Sequence, residues 1–224
     1  MPNAVSHSAA AVWAILRKEC RTEWRTRYGI NAALLFAVTS LVAVSFSAGR
    51  LPDRPDLLSA LLWIVLFFAA LASMSHAFVR EVDGHTMLLL RLTASPTQIA
   101  LGKLLFNVLF LSLVEVVTVP LFLVLTGAPP VHWAPFLGVL ALGTAALALS
   151  STVVGAIVAQ TRGRGALFAG ISLPLLLPVL AAAVSGTRAQ WAGQSVMAET
   201  RLLAGYSVAL FAASLLLYDH LWED

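Results

Sequence analysis

The chain has 224 residues, 59% of them hydrophobic and 11% charged, with a formal net charge of +3. An ordinary globular domain carries about 25% charged residues, and a soluble fold of this length could not hide so much apolar surface in its core. The small net charge does not suggest a nucleic-acid partner, and the lone cysteine, Cys20, excludes an intrachain disulfide or a thiolate metal cluster. Lipid must therefore solvate part of the surface, and residues 1–224 read as a single transmembrane domain. The basic residues near the start follow the first alanines instead of preceding an apolar run, which is not the order of a secretory leader.

The first eight residues read as a disordered tail. Residues 8–28 predict an amphipathic helix. Trp13, Leu16, Cys20 and Trp24 recur at three- and four-residue steps and are expected on one face, with Arg17, Arg21 and Arg25 as a ladder on the neighbouring face. Glu23 is spaced to pair with Arg27. Basic residues beside two tryptophans suit a helix lying in the lipid headgroup layer; a cytosolic surface helix is the plainer alternative.

A hydrocarbon core of about 30 Å needs roughly 20 apolar residues of helix. Six stretches are expected to span it: 30–48, 57–78, 104–126, 134–159, 165–184 and 202–218. The third carries Glu115 near its middle. Asn107, Leu111 and Thr118 follow the same helical step, giving that span one partly polar face. An acidic side chain there costs roughly 2.5–3.5 kcal/mol on insertion scales, so Glu115 should face protein or water. It either lines a subunit interface or pathway, or makes a structural hydrogen bond between helices. In the fourth span Ser151, Gly155 and Ala159 form a small-residue stripe that lets another helix approach. Pro174 and Pro178 should kink or break the fifth. Residues 185–201, with Trp191 and Met197, read as a loop or a short interfacial helix.

Residues 79–103 form the longest polar stretch between spans. Glu81, Asp83 and Gly84 precede a short apolar run, Met87 to Leu92. Ser95 and Pro96 then open a new helix, with serine at N-cap and proline at N1. Such a segment suits a docking element for a soluble partner or a re-entrant turn. Ten of the fourteen Lys/Arg fall on one side of the six-span arrangement, namely those of residues 8–28, Arg80, Arg91, Lys103, Arg162 and Arg164. Arg50, Arg54, Arg188 and Arg201 fall on the other. The positive-inside rule then places both termini and the 79–103 loop in the cytoplasm of a bacterial inner-membrane protein. HExxH, a Ser/His/Asp set and the GxxxxGK[ST] phosphate loop are all missing, so no enzyme is expected.

Glu81, Asp83-Gly84, Leu88 to Leu90 and the run Ile99 to Lys103 resemble the coupling loop of ABC-2-type exporter permeases. The chain is further similar to the CcmB family, the haem exporter B subunits of cytochrome c maturation. That likeness rests on Arg17 to Arg25, Ser45 to Gly49, Leu61 to Trp63, Leu113 to Pro120 and Leu173 to Pro178. The resemblance implies an all-α polytopic fold with an N-terminal elbow helix and six transmembrane helices. It also implies that Glu81, Asp83, Gly84, Leu88, Leu89, Leu90 and Arg91 contact a separate CcmA-like ATPase, which holds the ATP. CcmC-like and CcmD-like membrane subunits and a second copy of the chain are the further partners implied. Haem enters as a handled ligand, with no resident cofactor or metal expected. Among the histidines, His132 beside Trp133 is the best candidate for an axial ligand, although a polar anchor is the more ordinary role there. The competing readings are an ABC-2-type permease exporting a lipid, glycan or drug, and an ATP-independent carrier or membrane enzyme.

Overall fold

The computed structural model describes residues 2–48, 54–74, 94–159 and 164–221, and the regular structure among them is helical. Seven helices follow in order: α1 Pro2–Thr26, α2 Tyr28–Ala48, α3 Pro55–Met74, α4 Pro96–Thr126, α5 Trp133–Ala159, α6 Arg164–Trp191 and α7 Met197–Leu221. Helices α2, α4, α5 and α6 contain segments long and apolar enough to cross a membrane, and α3 adds the shorter apolar stretch Pro55–Leu71.

The longest helix shows why its ends fall where they do. At the start of α4 the Gln98 N–H donates to the Ser95 hydroxyl at 3.4 Å, and the Ser95 N–H donates to the Gln98 side chain at 3.0 Å. This reciprocal capping box, with Pro96 at the first helical position, satisfies donors that the helix itself cannot. The helix ends at Gly127, whose φ of 67° is cheap only for glycine and whose N–H reaches the Leu123 carbonyl at 3.0 Å.

Helix α5 is the centre of the bundle and packs against α3, α4, α6 and α7. Within its span 72% of residues are buried, against 22% for α2. Small residues make this possible. Ser151 and Gly155 of the expected stripe are buried, while the side chain of Ala159 lies outside the described residues. The tightest approach is elsewhere, at Gly143, where an added Cβ would lie 2.1 Å from Cη2 of Trp63. The fully buried Trp63 in turn donates from Nε1 to the Thr187 hydroxyl at 2.8 Å, tying α3 to α6 across α5. Apolar side chains also cover the outside: Phe46 is 88% exposed, Val124 76% and Val116 70%. Such a surface would drive association in water but is solvated by acyl chains.

Three expectations need correction. The first eight residues do not form a disordered tail, because α1 begins at Pro2. Proline suits a first helical position, and the alanines that follow are strong helix formers. The loop expected at 185–201 is mostly helical, since α6 runs on to Trp191 and α7 starts at Met197. The polar residues that suggested a loop are satisfied from within the bundle: Thr187 by the Ala183 carbonyl and Trp63, Gln190 by the His132 carbonyl. Finally, of the kink or break expected at Pro174 and Pro178, the break does not occur, because α6 runs through both prolines to Trp191. Both prolines face away from the bundle, and the Tyr206 hydroxyl of α7 donates to the Leu175 carbonyl at 2.6 Å within the weakened turn.

Candidate functional site

The root of α4 is fixed to α1 by a set of contacts one or two turns apart. The Gln98 amide donates to the Ser8 hydroxyl at 3.3 Å. Gly102 lies so close to Ile15 that a Cβ would approach its Cγ2 to 2.6 Å. One residue on, the fully buried Lys103 ammonium lies 3.4 Å from Glu19 Oε1, and the Lys18 ammonium reaches the same oxygen at 3.2 Å. Burial of an ammonium is tolerable only with such a partner. One turn further along α1, Glu23 Oε1 accepts the Ile30 N–H at 2.9 Å, so a carboxylate of α1 caps the start of α2. Between the two helices Arg27 turns the chain with φ 53° and stacks on Trp24, its guanidinium 5.2 Å from the ring centre.

This geometry corrects the face expected for the elbow. Leu16 is buried in the core and Cys20 packs against it, but Trp13 and Trp24 are 65% and 71% exposed. The inward face is instead Ile15, Leu16, Glu19 and Glu23. Periodicity alone counted the tryptophans as core because they are apolar, and counted the glutamates as surface because they are charged. Arg17, Arg21 and Arg25 are exposed as a ladder. Burial and the neighbouring Glu19 carboxylate push the Cys20 thiol above its ordinary range.

Along α4 a polar seam faces α5. Asn107 Nδ2 donates to the Thr152 hydroxyl at 2.8 Å, and two turns later the Thr144 hydroxyl donates to Glu115. Asn107, Leu111 and Thr118 are buried, and the Thr118 hydroxyl returns to the Val114 carbonyl. The step of 107, 111, 115 and 118 thus brings these residues to one side of the helix, as the sequence predicts.

At the opposite end of the bundle, Trp191 Nε1 donates to the Ala128 carbonyl at 3.1 Å. Its ring packs between Phe122 and Phe136, at 6.1 and 5.6 Å. His132 is exposed and lines a shallow cleft of about 480 Å³ with Gln190 and Met197. Among the described residues no group of three or more His, Cys, Asp or Glu could hold a metal ion.

Glu81, Asp83, Gly84, Leu88, Leu89, Leu90 and Arg91 lie outside the described residues. Sequence reading missed the Glu19–Lys103 pair. Its signal was present: Lys103 stands alone between Ile99-Ala-Leu-Gly102 and Leu104-Leu-Phe106, which a surface lysine would not require.

Several long apolar helices packed around a small-residue core make the chain a multi-pass membrane protein. The family model described as CcmB protein matches residues 10–218, and the chain belongs to the CcmB family. It is similar to the Heme exporter protein B of Bradyrhizobium diazoefficiens, with 30% identity over 185 residues covering 80% of this chain and 82% of the relative. The Heme exporter protein B of Rhodobacter capsulatus is 26% identical over 201 residues, 89% of this chain and 92% of the relative. That of Pseudomonas aeruginosa is 29% identical over 168 residues, 74% and 75% of the two chains.

Proposed function

We propose that this chain is the permease subunit of an ATP-driven complex acting in haem delivery, or in release of a haem-loaded chaperone, during cytochrome c maturation. Beyond family membership, the observation that carries this reading is the root of α4. This helix starts at Pro96, so the run Ile99 to Lys103 that resembles the end of a coupling loop lies in its first two turns, with residues 81–91 preceding it in the chain. Its first two turns are locked to α1 by Gln98–Ser8, Gly102–Ile15 and Lys103–Glu19. Through Glu23 the same α1 holds the start of α2. Movement of the loop would reach two spanning helices together.

In this reading α2 to α7 are six transmembrane helices in the ABC-2-type arrangement. Both termini lie in the cytoplasm, where the ten clustered Lys/Arg also fall. Helix α1 is the interfacial elbow. The chain is non-catalytic: a CcmA-like ATPase hydrolyses ATP and docks on residues 81–91. Glu81, Asp83 and Arg91 offer it charge, Gly84 a turn, and Leu88 to Leu90 an apolar surface. CcmC-like and CcmD-like subunits and a second copy complete the assembly, and haem is cargo. Glu115 serves as a tie between α4 and α5, a role supported by its bond with Thr144.

Affinity purification in mild detergent tests the coupling. The chain should bring down an ATPase, and Leu89→Asp should lose it while the membrane protein still elutes as a folded species. Unchanged ATPase yield and ATP turnover in Leu89→Asp would rule the segment out.

A further inference from the structure

The charges of α1 are sorted by sign. Its two acids turn inward, Glu19 at 7% and Glu23 at 4% exposure, one onto Lys103 and the other onto the Ile30 N–H. The cations Arg17, Lys18, Arg21 and Arg25 are all exposed, and with Trp13 they line one open groove of about 890 Å³. Lys18 is engaged by Glu19, but among the described residues no acid pairs with Arg17, Arg21 or Arg25. These arginines recur every fourth residue, about 6 Å apart along the helix axis. A helix optimised for water would place acids among them at i,i+4; this one keeps every acid on the other side.

Two further observations identify the occupant. Trp13 lines the groove one turn before Arg17, and Trp24, next to Arg25 in the chain, is likewise exposed. A large ring with one polar edge is poorly served by water and well served by the boundary between acyl chains and headgroups. In addition, α1 is packed against the first turns of α4, so the groove opens where the spanning helices begin. Guanidinium groups match phosphate oxygens in a paired geometry that lysine lacks.

We propose that this groove binds the phosphate headgroups of anionic phospholipids. Arg17, Arg21 and Arg25 hold the phosphate oxygens, and Trp13 and Trp24 seat the helix at the level of the glycerol backbone. The elbow is then a lipid-selective contact.

The test uses the full chain, purified without its partners and incorporated into nanodiscs made with phosphatidylglycerol or phosphatidylcholine. Lipid retained after detergent extraction is counted by native mass spectrometry. Phosphatidylglycerol should be retained in preference, and the preference should fall as salt rises. The triple variant Arg17→Gln/Arg21→Gln/Arg25→Gln should lose it by about tenfold or more at low salt. Arg21→Gln alone should lose part of it, which covers the case of a triple variant that does not fold. Equal retention of both lipids by the unaltered chain would overturn the proposal. So would an undiminished, salt-insensitive preference in the variants. A variant that keeps the lipid preference but loses a co-expressed ATPase would show the ladder to be a protein-docking surface instead. The lipid preference itself is read without haem or ATPase, so its failure is distinct from failure of the proposed function.

Discussion

At Gly143 two effects oppose each other, and their sizes decide the outcome. Replacing a glycine inside a helix by alanine normally gains about 1 kcal/mol. Here the new Cβ would lie 2.1 Å from Cη2 of Trp63, an indole that is fully buried and held by Thr187. Overpacking a filled core costs typically about 1–3 kcal/mol, so the clash wins. Gly143→Ala should therefore lower the thermal midpoint of the purified protein. Gly138→Ala, where an added Cβ meets nothing within 4 Å, should leave it unchanged or raise it. Equal midpoints for the two variants would mean that Trp63 moves aside freely. The sequence marks Gly143 as one small residue among many in this span. Only the arrangement of α3 against α5 distinguishes it, because the partner ring comes from eighty residues away.

At the scale of elements, the junction of α1 with α4 and the seam of α4 with α5 make separable predictions. Removing one partner of a buried ion pair costs about 3–5 kcal/mol, whereas replacing both by apolar groups of similar volume is often neutral. Lys103→Met should sharply reduce stability, because Glu19 stays 7% exposed and keeps only the Lys18 ammonium as an ion-pair partner among the described residues. The double variant Glu19→Met/Lys103→Met should recover most of the loss in a thermal melt. A double variant as unstable as the single one would show that the two side chains do not act as a pair. For the seam, Glu115→Gln keeps an acceptor for the Thr144 hydroxyl and Glu115→Leu does not. If Glu115 ties the helices, Gln should assemble and support maturation while Leu assembles poorly. Loss of maturation in a normally assembled Gln variant would instead assign the work to the charge. The third span's polar side and the Ser95-Pro96 start were legible in the sequence, since 3.6-residue periodicity and capping chemistry are local. The inward face of α1 was not, since a buried glutamate is explained only by Lys103 and by the start of α2.

For the whole molecule, composition dictates a membrane protein, and apolar run lengths predict six spans, of which four correspond among the described residues to helices long and apolar enough to cross a membrane. Both follow from the thickness of the bilayer and need no tertiary contact. The extent of α6 past Val184 was not legible, because Thr187, Gln190 and Trp191 look like loop residues until Trp63, His132 and Ala128 supply their partners. The same packing links the ends of the bundle. The far end is closed by Trp191 and its aromatic neighbours, and the near end by the α1–α4 junction, so the helices are braced at both ends. The central claim is that this braced unit serves cytochrome c maturation. Its most direct measurement is the covalent haem content of c-type cytochromes in the native host after deletion of the gene for this chain, with and without its return on a plasmid. The account predicts that haem-staining cytochromes disappear on deletion, return with the unaltered chain, and stay absent with Leu89→Asp although that variant accumulates in the membrane. Normal haem-stained cytochromes in the deletion strain would contradict it.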